Sequence, residues 1–180
     1  MKSKAAGFTL IELLVTLAVV TILLTLGMPA FGNLQQRNRA ANAHHLLTTS
    51  LAIARLTAVQ RGEPVSVCPS TDGTRCRNDV VWDDGWIVFA DPARANQPAS
   101  AAAVLQRVDP IGNGLALRST AGRTRVRFNP SGWAYGSNLS VRLCTTQGQQ
   151  HLGSVIVNNA GRPRSEFFEN KPCPYALSRQ

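Results

Sequence analysis

Arginine carries the most visible chemistry in this chain. Arg123, Arg125 and Arg127 alternate with Thr124, Val126 and Phe128, so a strand would set three guanidinium groups on one face. Further on, Arg162 and Arg164 flank Pro163 directly after Gly161, and Lys171 and Arg179 follow toward the C-terminus. From Arg118 to Gln180, eight arginines and one lysine against Glu166 and Glu169 leave +7, in a chain whose net charge is +9. A guanidinium is a planar fork of donors that matches phosphate, so this bias points to an anionic partner. Pro163 limits the entropy lost on ordering its turn. The competing reading is a soluble basic surface, with Arg162 and Arg164 solvated or paired to Glu166 and Glu169. Trp133 and Tyr135 read as core or turn packing, with stacking on a splayed base as the alternative.

A second feature is one stranded acid. Between Phe8 and Phe31, Glu12 is the only ionisable side chain, and Lys2 and Lys4 precede the run. At a rise of about 1.5 Å per residue, such a helix is about long enough to cross a bilayer core of roughly 30 Å. A lone carboxylate there costs on the order of 3 kcal/mol, so Glu12 needs a cationic partner. No good Ala-x-Ala site closes the run, which argues against an ordinary cleaved secretory signal.

Cysteines stand at 68, 76, 144 and 173. An even count behind a membrane-targeting segment suggests an oxidising compartment and two disulfides. Three pairings exist; the favoured one joins Cys68 to Cys76 around a short loop and Cys144 to Cys173, tying the tail to a late strand. No cysteine pair has zinc-site spacing, and His44, His45 and His151 add no usable set. The sequence offers no nucleophile with a base, no paired acids and no cofactor loop. Gly112-Asn113-Gly114 reads as a turn, since no helix follows it. The expectation is a protein that is not an enzyme, with no cofactor, no metal and no small-molecule substrate.

These groups need elements to position them. Pro29 should bend the first helix near its membrane boundary. Residues 32–62 then continue as an amphipathic helix, with Leu47, Leu51, Ala54 and Ala58 on one face, Gly62 as its stop and Pro64 blocking resumption. From Val65 the pattern turns to short strands. Val80–Trp82 and Trp86–Phe89 flank Asp83-Asp84-Gly85 as a hairpin. Residues 90–103 read as a mobile loop, and 105–108 and 115–118 as strands around the glycine turn. Residues 123–128, 139–143 and 151–157 complete the set, the last being the final strand. One helix followed by runs of strands argues for an α+β fold with antiparallel sheets packed on the helix.

The order basic leader, Gly7, Phe8, Thr9, Leu10, Ile11, Glu12 closely resembles the prepilin signal of type IV pilins and type II secretion pseudopilins. That resemblance implies cleavage after Gly7 by a prepilin peptidase, N-methylation of Phe8 and retention of the apolar helix. A freed α-amino group, with pKa about 8, would then neutralise Glu12, which becomes an assembly residue. The Gly-Trp-Ile-Val-Phe strand, the Arg-Phe-Asn-Pro-Ser-Gly segment and Gly161-Arg162-Pro163-Arg164 look like the FimT/GspH branch of minor pilins and pseudopilins. The last motif matches the Gly-Arg-x-Arg of FimT-type minor pilins that capture DNA for natural transformation. The layout implied is a leader (1–7), a transmembrane and assembly helix (8–31), an amphipathic continuation (32–62) and a β-rich head (63–180). The resemblance implies a DNA-binding minor pilin with Arg162 and Arg164, set by Gly161, as DNA contacts; the local charge adds Arg123, Arg125 and Arg127, Lys171 and Arg179 as candidate contacts. It would sit in the inner membrane and then in a periplasmic or extracellular filament with other major and minor pilins. The alternative is a structural minor pilin or secretion pseudopilin that primes or caps a filament without binding DNA.

Overall fold

The structure, a computed structural model, describes residues 7–112, 114–147 and 150–175, without the side chains of residues 26–30, 33, 169 and 170. It forms two compact units, Met1–Arg39 and Ala40–Gln180, and a single helix, α1 (Leu10–Arg61), runs through both ranges. Apart from Gly7, the expected leader lies outside the described residues.

Thr9 starts α1. Its Oγ1 accepts the Glu12 backbone N–H at 3.3 Å, and its carbonyl accepts that of Leu13 at 3.2 Å. This is one arm of a capping box, and it puts Glu12 in the first turn, where the helix dipole favours an anion. Downstream, the Thr16, Thr21 and Thr25 hydroxyls donate to the Leu13, Leu17 and Ile22 carbonyls at 2.9, 2.8 and 2.9 Å. These polar groups are therefore satisfied inside the helix and need no water. Leu10, Leu14, Leu17, Ile22 and Leu24 are exposed in the single chain, so this apolar surface requires cover. Among the described residues no helix is long and apolar enough to cross a membrane. The expected crossing at 8–31 includes side chains outside the description. Helix α1 is continuous through Pro29, since one missing N–H removes one bond from a cooperative ladder.

In the second unit, α1 buries Ala40, Ala43, Leu47, Leu51, Ala54 and Ala58 at three- and four-residue spacing. Gly62 ends the helix at φ +65°, a conformation that suits a residue without Cβ. Against this stripe pack two antiparallel sheets sharing one core. The first has the order β3-β2-β1-β5, with β1 Val65–Pro69, β2 Trp86–Ala90, β3 Val104–Val108 and β5 Val126–Phe128. The second has the order β4-β6-β7-β8, with β4 Leu115–Ser119, β6 Leu139–Thr145, β7 Gln150–Val157 and β8 Pro163–Pro172. Both expected disulfides form: Cys68–Cys76 at a Cα separation of 5.5 Å and Cys144–Cys173 at 5.9 Å.

Four readings of the strands need correction. Val80–Trp82 does not form a hairpin with β2; it borders β4 instead, through Trp82 N–H to Leu117 O and Ser119 N–H to Val80 O, both 3.0 Å. The Asp83-Asp84-Gly85 turn carries the chain from one sheet to the other, and an added Cβ at Gly85 would meet the Val108 carbonyl. Strands β3 and β4 likewise belong to different sheets, and Asn113 of the glycine turn lies outside the described residues. Strand β5 is shorter than expected, leaving Arg123 and Arg125 ahead of it. Strand β7 is not the last: β8 pairs with it along the sheet edge, from Val157 opposite Pro163 to Gln150 opposite Pro172.

Candidate nucleic-acid interface

Arg127 sits on β5 opposite Ser66 of β1. Its Nε and Nη2 donate to Asp91 Oδ2 at 3.0 and 2.8 Å, and Ser66 Oγ donates to the same oxygen at 2.8 Å. Asp91 is 2% exposed. A carboxylate that deep needs its cation, so Arg127 serves the fold before any ligand.

The neighbouring arginines differ. Arg123 Nη1 donates to the Gly136 carbonyl at 2.6 Å. Arg125 donates to the Asn96 carbonyl at 3.2 Å and to Asn78 Oδ1 and Thr124 Oγ1, both at 3.4 Å. Among the described residues Arg94 reaches only Asn129 Oδ1, at 3.4 Å. All of these acceptors are neutral. Burial, and then the Arg127 charge, hold the Arg125 guanidinium below its ordinary pKa, as expected for a cation with too little anion nearby. The four guanidinium groups line a cavity of about 600 Å³ together with Asn96, Gly122, Thr124, Asn129, Tyr135, Gly136 and Ser137. The residues 90–103 are thus not a loose loop. They supply Asp91, Arg94 and Asn96, and Gln97 is tied to Cys76 through its N–H at 2.9 Å and its carbonyl at 3.0 Å.

Trp133 and Tyr135 are not core. Their rings stack at 4.9 Å with 7° between planes, and they are 41% and 62% exposed. The turn carrying Gly161-Arg162-Pro163-Arg164 lies beside them. Ala134 N–H donates to the Asn159 carbonyl at 2.9 Å, and Gly161, at φ +68°, is packed so that a Cβ would strike the Gly132 carbonyl. Gly161 therefore shapes the turn. Arg162 is exposed, and among the described residues its side chain has no partner; its backbone N–H donates to Asn158 Oδ1 at 3.2 Å. Arg164 lies on β8 and pairs with Glu166 at 3.2 Å, both side chains open to solvent. Lys171 stands over the Phe168 ring at 4.1 Å. Arg179 and the Glu169 side chain lie outside the described residues. At the other end of the chain, Phe8 and Glu12 are exposed and Gly7 precedes them.

Sequence reasoning missed Asp91, Arg94 and Asn96. Arg94 and Asn96 have φ of +53° and +66°, the two non-glycine residues so placed among those described, and no local pattern announced this. Among the described residues, no group of His, Cys, Asp and Glu is arranged to hold a metal ion.

The family model described as type II transport protein GspH matches residues 43–161, and that of the prokaryotic N-terminal methylation motif matches residues 2–28. No curated protein matches the chain. Among solved structures, the chain is similar to the Pseudomonas aeruginosa type IV minor pilin FimU in two crystal forms. One gives a TM-score of 0.57 at 17% identity, covering 79% of this chain and 98% of that one. The other gives 0.53 at 18% identity, covering 70% and 91%. The solution structure of Escherichia coli GspH gives 0.48 at 13% identity, covering 73% and 90%.

Proposed function

Because this chain belongs to the GspH family of type II transport proteins, we propose that it is a minor pilin that captures extracellular DNA for natural transformation. Its class, a minor pilin or pseudopilin with an N-terminal methylation motif, follows from the family itself. The observation that carries the finer reading is a set of guanidinium groups, Arg94, Arg123, Arg125 and Arg162, bonded to no carboxylate among the described residues. Each open fork offers donors that a neutral acceptor leaves partly unused and that a phosphate would take up.

In this reading prepilin peptidase cuts after Gly7 in the inner membrane, Phe8 becomes the methylated first residue, and its amine neutralises Glu12 within the filament. The apolar run is anchored in the membrane first and covered by other pilins afterwards. DNA then meets the head through phosphates, without sequence preference. Arg162, Arg164 and Lys171 contribute from the turn and edge strand, Arg123 and Arg125 from the hollow.

Binding of a mixed-sequence oligonucleotide across a salt series tests this. The log–log slope should be about −0.9 for each phosphate neutralised. Arg162→Gln and Arg164→Gln should each weaken binding for all sequences alike and flatten the slope by about one. Unchanged binding in both variants overturns the assignment. The family model's type II transport description favours a second reading, a pseudopilin that primes or caps a filament. Under it the chain ignores DNA in moderate salt, while Glu12→Ala still abolishes assembly.

A further inference from the structure

We propose that the hollow between Arg94, Arg123 and Arg125 is a pocket for one nucleotide of a single strand, its phosphate held by the arginines and its base stacked against Tyr135. This rests on the DNA-capture reading and adds to it a choice of strand and a place for the base.

Three observations point there. First, the site is concave: at about 600 Å³ it is in the range of cavities that enclose small ligands. A duplex carries its phosphates on a convex surface with its bases stacked inside, so it cannot bring a phosphate and a base into one hollow. A single strand can splay a nucleotide inward. Second, the lining is chemically divided as a nucleotide is. Arg123 and Arg125 are half-buried donors, Arg94 closes from the exposed side, and Tyr135 offers an aromatic surface. Trp133 covers one face of that ring, which holds the phenol in place while most of Tyr135 remains open. Gly122 and Gly136 also line the space, and a Cβ added at either meets nothing within 4 Å, so the backbone there leaves room.

Third, the backbone is held in an unfavourable form where the donors converge. Arg94 and Asn96 occupy the left-handed region, Arg94 at the end of the turn that its N–H closes on the Asp91 carbonyl at 3.0 Å. Such conformations persist only where the surroundings over-determine them, and they cluster at binding sites. Here Asn96 is fixed from two sides, its carbonyl accepting from Arg125 and its Oδ1 from Arg127 at 2.5 Å. Arg127 is locked in turn by Asp91, so the hollow is built before any ligand arrives.

The test uses the full-length chain in detergent micelles and fluorescence anisotropy at fixed salt. The probes are a labelled mixed-sequence single strand and a duplex of the same length. The single strand should bind about tenfold more tightly than the duplex. Tyr135→Leu and the pair Arg94→Gln/Arg123→Gln should each cost the single strand about tenfold while moving the duplex less than about twofold. Arg162→Gln should weaken both probes alike. Deoxyadenosine monophosphate should displace the single strand at lower concentration than inorganic phosphate does. Equal binding of both probes, with Tyr135→Leu and the arginine pair without effect, overturns the pocket and leaves the capture reading standing. Failure of both probes to bind overturns both. Arg94 and Tyr135 are exposed and Arg123 is half-buried, so a variant with wild-type thermal unfolding gives an interpretable result.

Discussion

Two arginine clusters in the head use one residue type in opposite ways. At the corner between the sheets, Arg77 pairs with Asp79 and Asp84, both at 2.5 Å, and Arg118 pairs with Asp83. Around the hollow, among the described residues only Arg127 of the four arginines pairs with a carboxylate, Asp91. Burial disfavours the charge in both places. At Arg77 the two aspartates outweigh it and the pKa is raised; at Arg125 burial and the Arg127 charge prevail and it is lowered. The corner is a set of closed circuits that fixes a turn. The hollow is an open one, and a net charge counted along the sequence cannot tell them apart.

The largest effect should come from the one closed pair inside the hollow. Arg127→Gln strands Asp91, and loss of one partner from a buried pair costs about 3–5 kcal/mol. The double variant Arg127→Gln/Asp91→Asn should recover a large part of that, because no buried charge is left alone. Arg94→Gln, at an exposed position lining the same hollow, should stay within about 0.5 kcal/mol. Urea denaturation midpoints measure all three. Equal destabilisation by Arg127→Gln and Arg94→Gln would show that the hollow is a structural network throughout, and the contrast would collapse.

The sequence made the frame of the head legible because its signals are local. Leu47, Leu51, Ala54 and Ala58 repeat at helical spacing and all reach the core; Gly62 stops the helix; the short Cys68–Cys76 loop closes as expected. What it hid was long-range pairing. Val80–Trp82 precedes a turn as a hairpin arm would, yet borders β4, with Trp82 N–H donating to the Leu117 carbonyl and the Val80 carbonyl accepting from Ser119. The arginine triplet was legible as a cluster but not in its division of labour. That division depends on Asp91, which directly follows β2 and stands 36 residues before Arg127, and on the conformations of Arg94 and Asn96, which no spacing encodes. Strand β8 was hidden for a related reason: Gly-Arg-Pro-Arg has turn chemistry, and its strand character comes from lying beside β7.

Acid should expose the stability of the head independently of either cluster. His44, on the buried stripe of α1, is 1% exposed, and neither ring nitrogen has a hydrogen-bond partner among the described residues. Burial, then the charges of His45 and His151, lowers its pKa from 6.5 to about 4. The unfolded chain therefore binds a proton that the folded one refuses between those values. Stability is whole above pH 6.5 and falls as pH drops toward 4, by about 3 kcal/mol at roughly 1.4 kcal/mol per unit. His44→Leu should flatten that limb of the stability profile. Comparisons of the arginine clusters by DNA binding accordingly belong above pH 6.5; a profile unchanged by His44→Leu would remove that constraint.

A smaller effect separates the clusters by ligand. Arg77→Gln should leave DNA affinity and its salt slope as they are, since Asp79 and Asp84 already neutralise that guanidinium. Arg123→Gln should weaken binding and flatten the slope by about one. Equal losses in the two variants, measured by filter binding in one salt series, would mean that DNA reads the summed field of the head and not its open arginines.

The smallest effect is the most discriminating, because it changes a pair that is neither open nor closed. Arg164 and Glu166 meet at 3.2 Å with side chains 68% and 39% exposed, so water screens them and the pair contributes little to folding. Glu166→Gln should change unfolding stability by less than about 0.5 kcal/mol. It also removes a negative charge from beside an arginine offered to phosphate, so DNA affinity should rise about two- to threefold at low salt and the gain should fade as salt is added. An affinity that instead falls would mean that Glu166 orients Arg164 for its phosphate. The edge strand would then resemble the corner, with an acid that positions its arginine, and the line between the two kinds of cluster would have to be redrawn at Arg162.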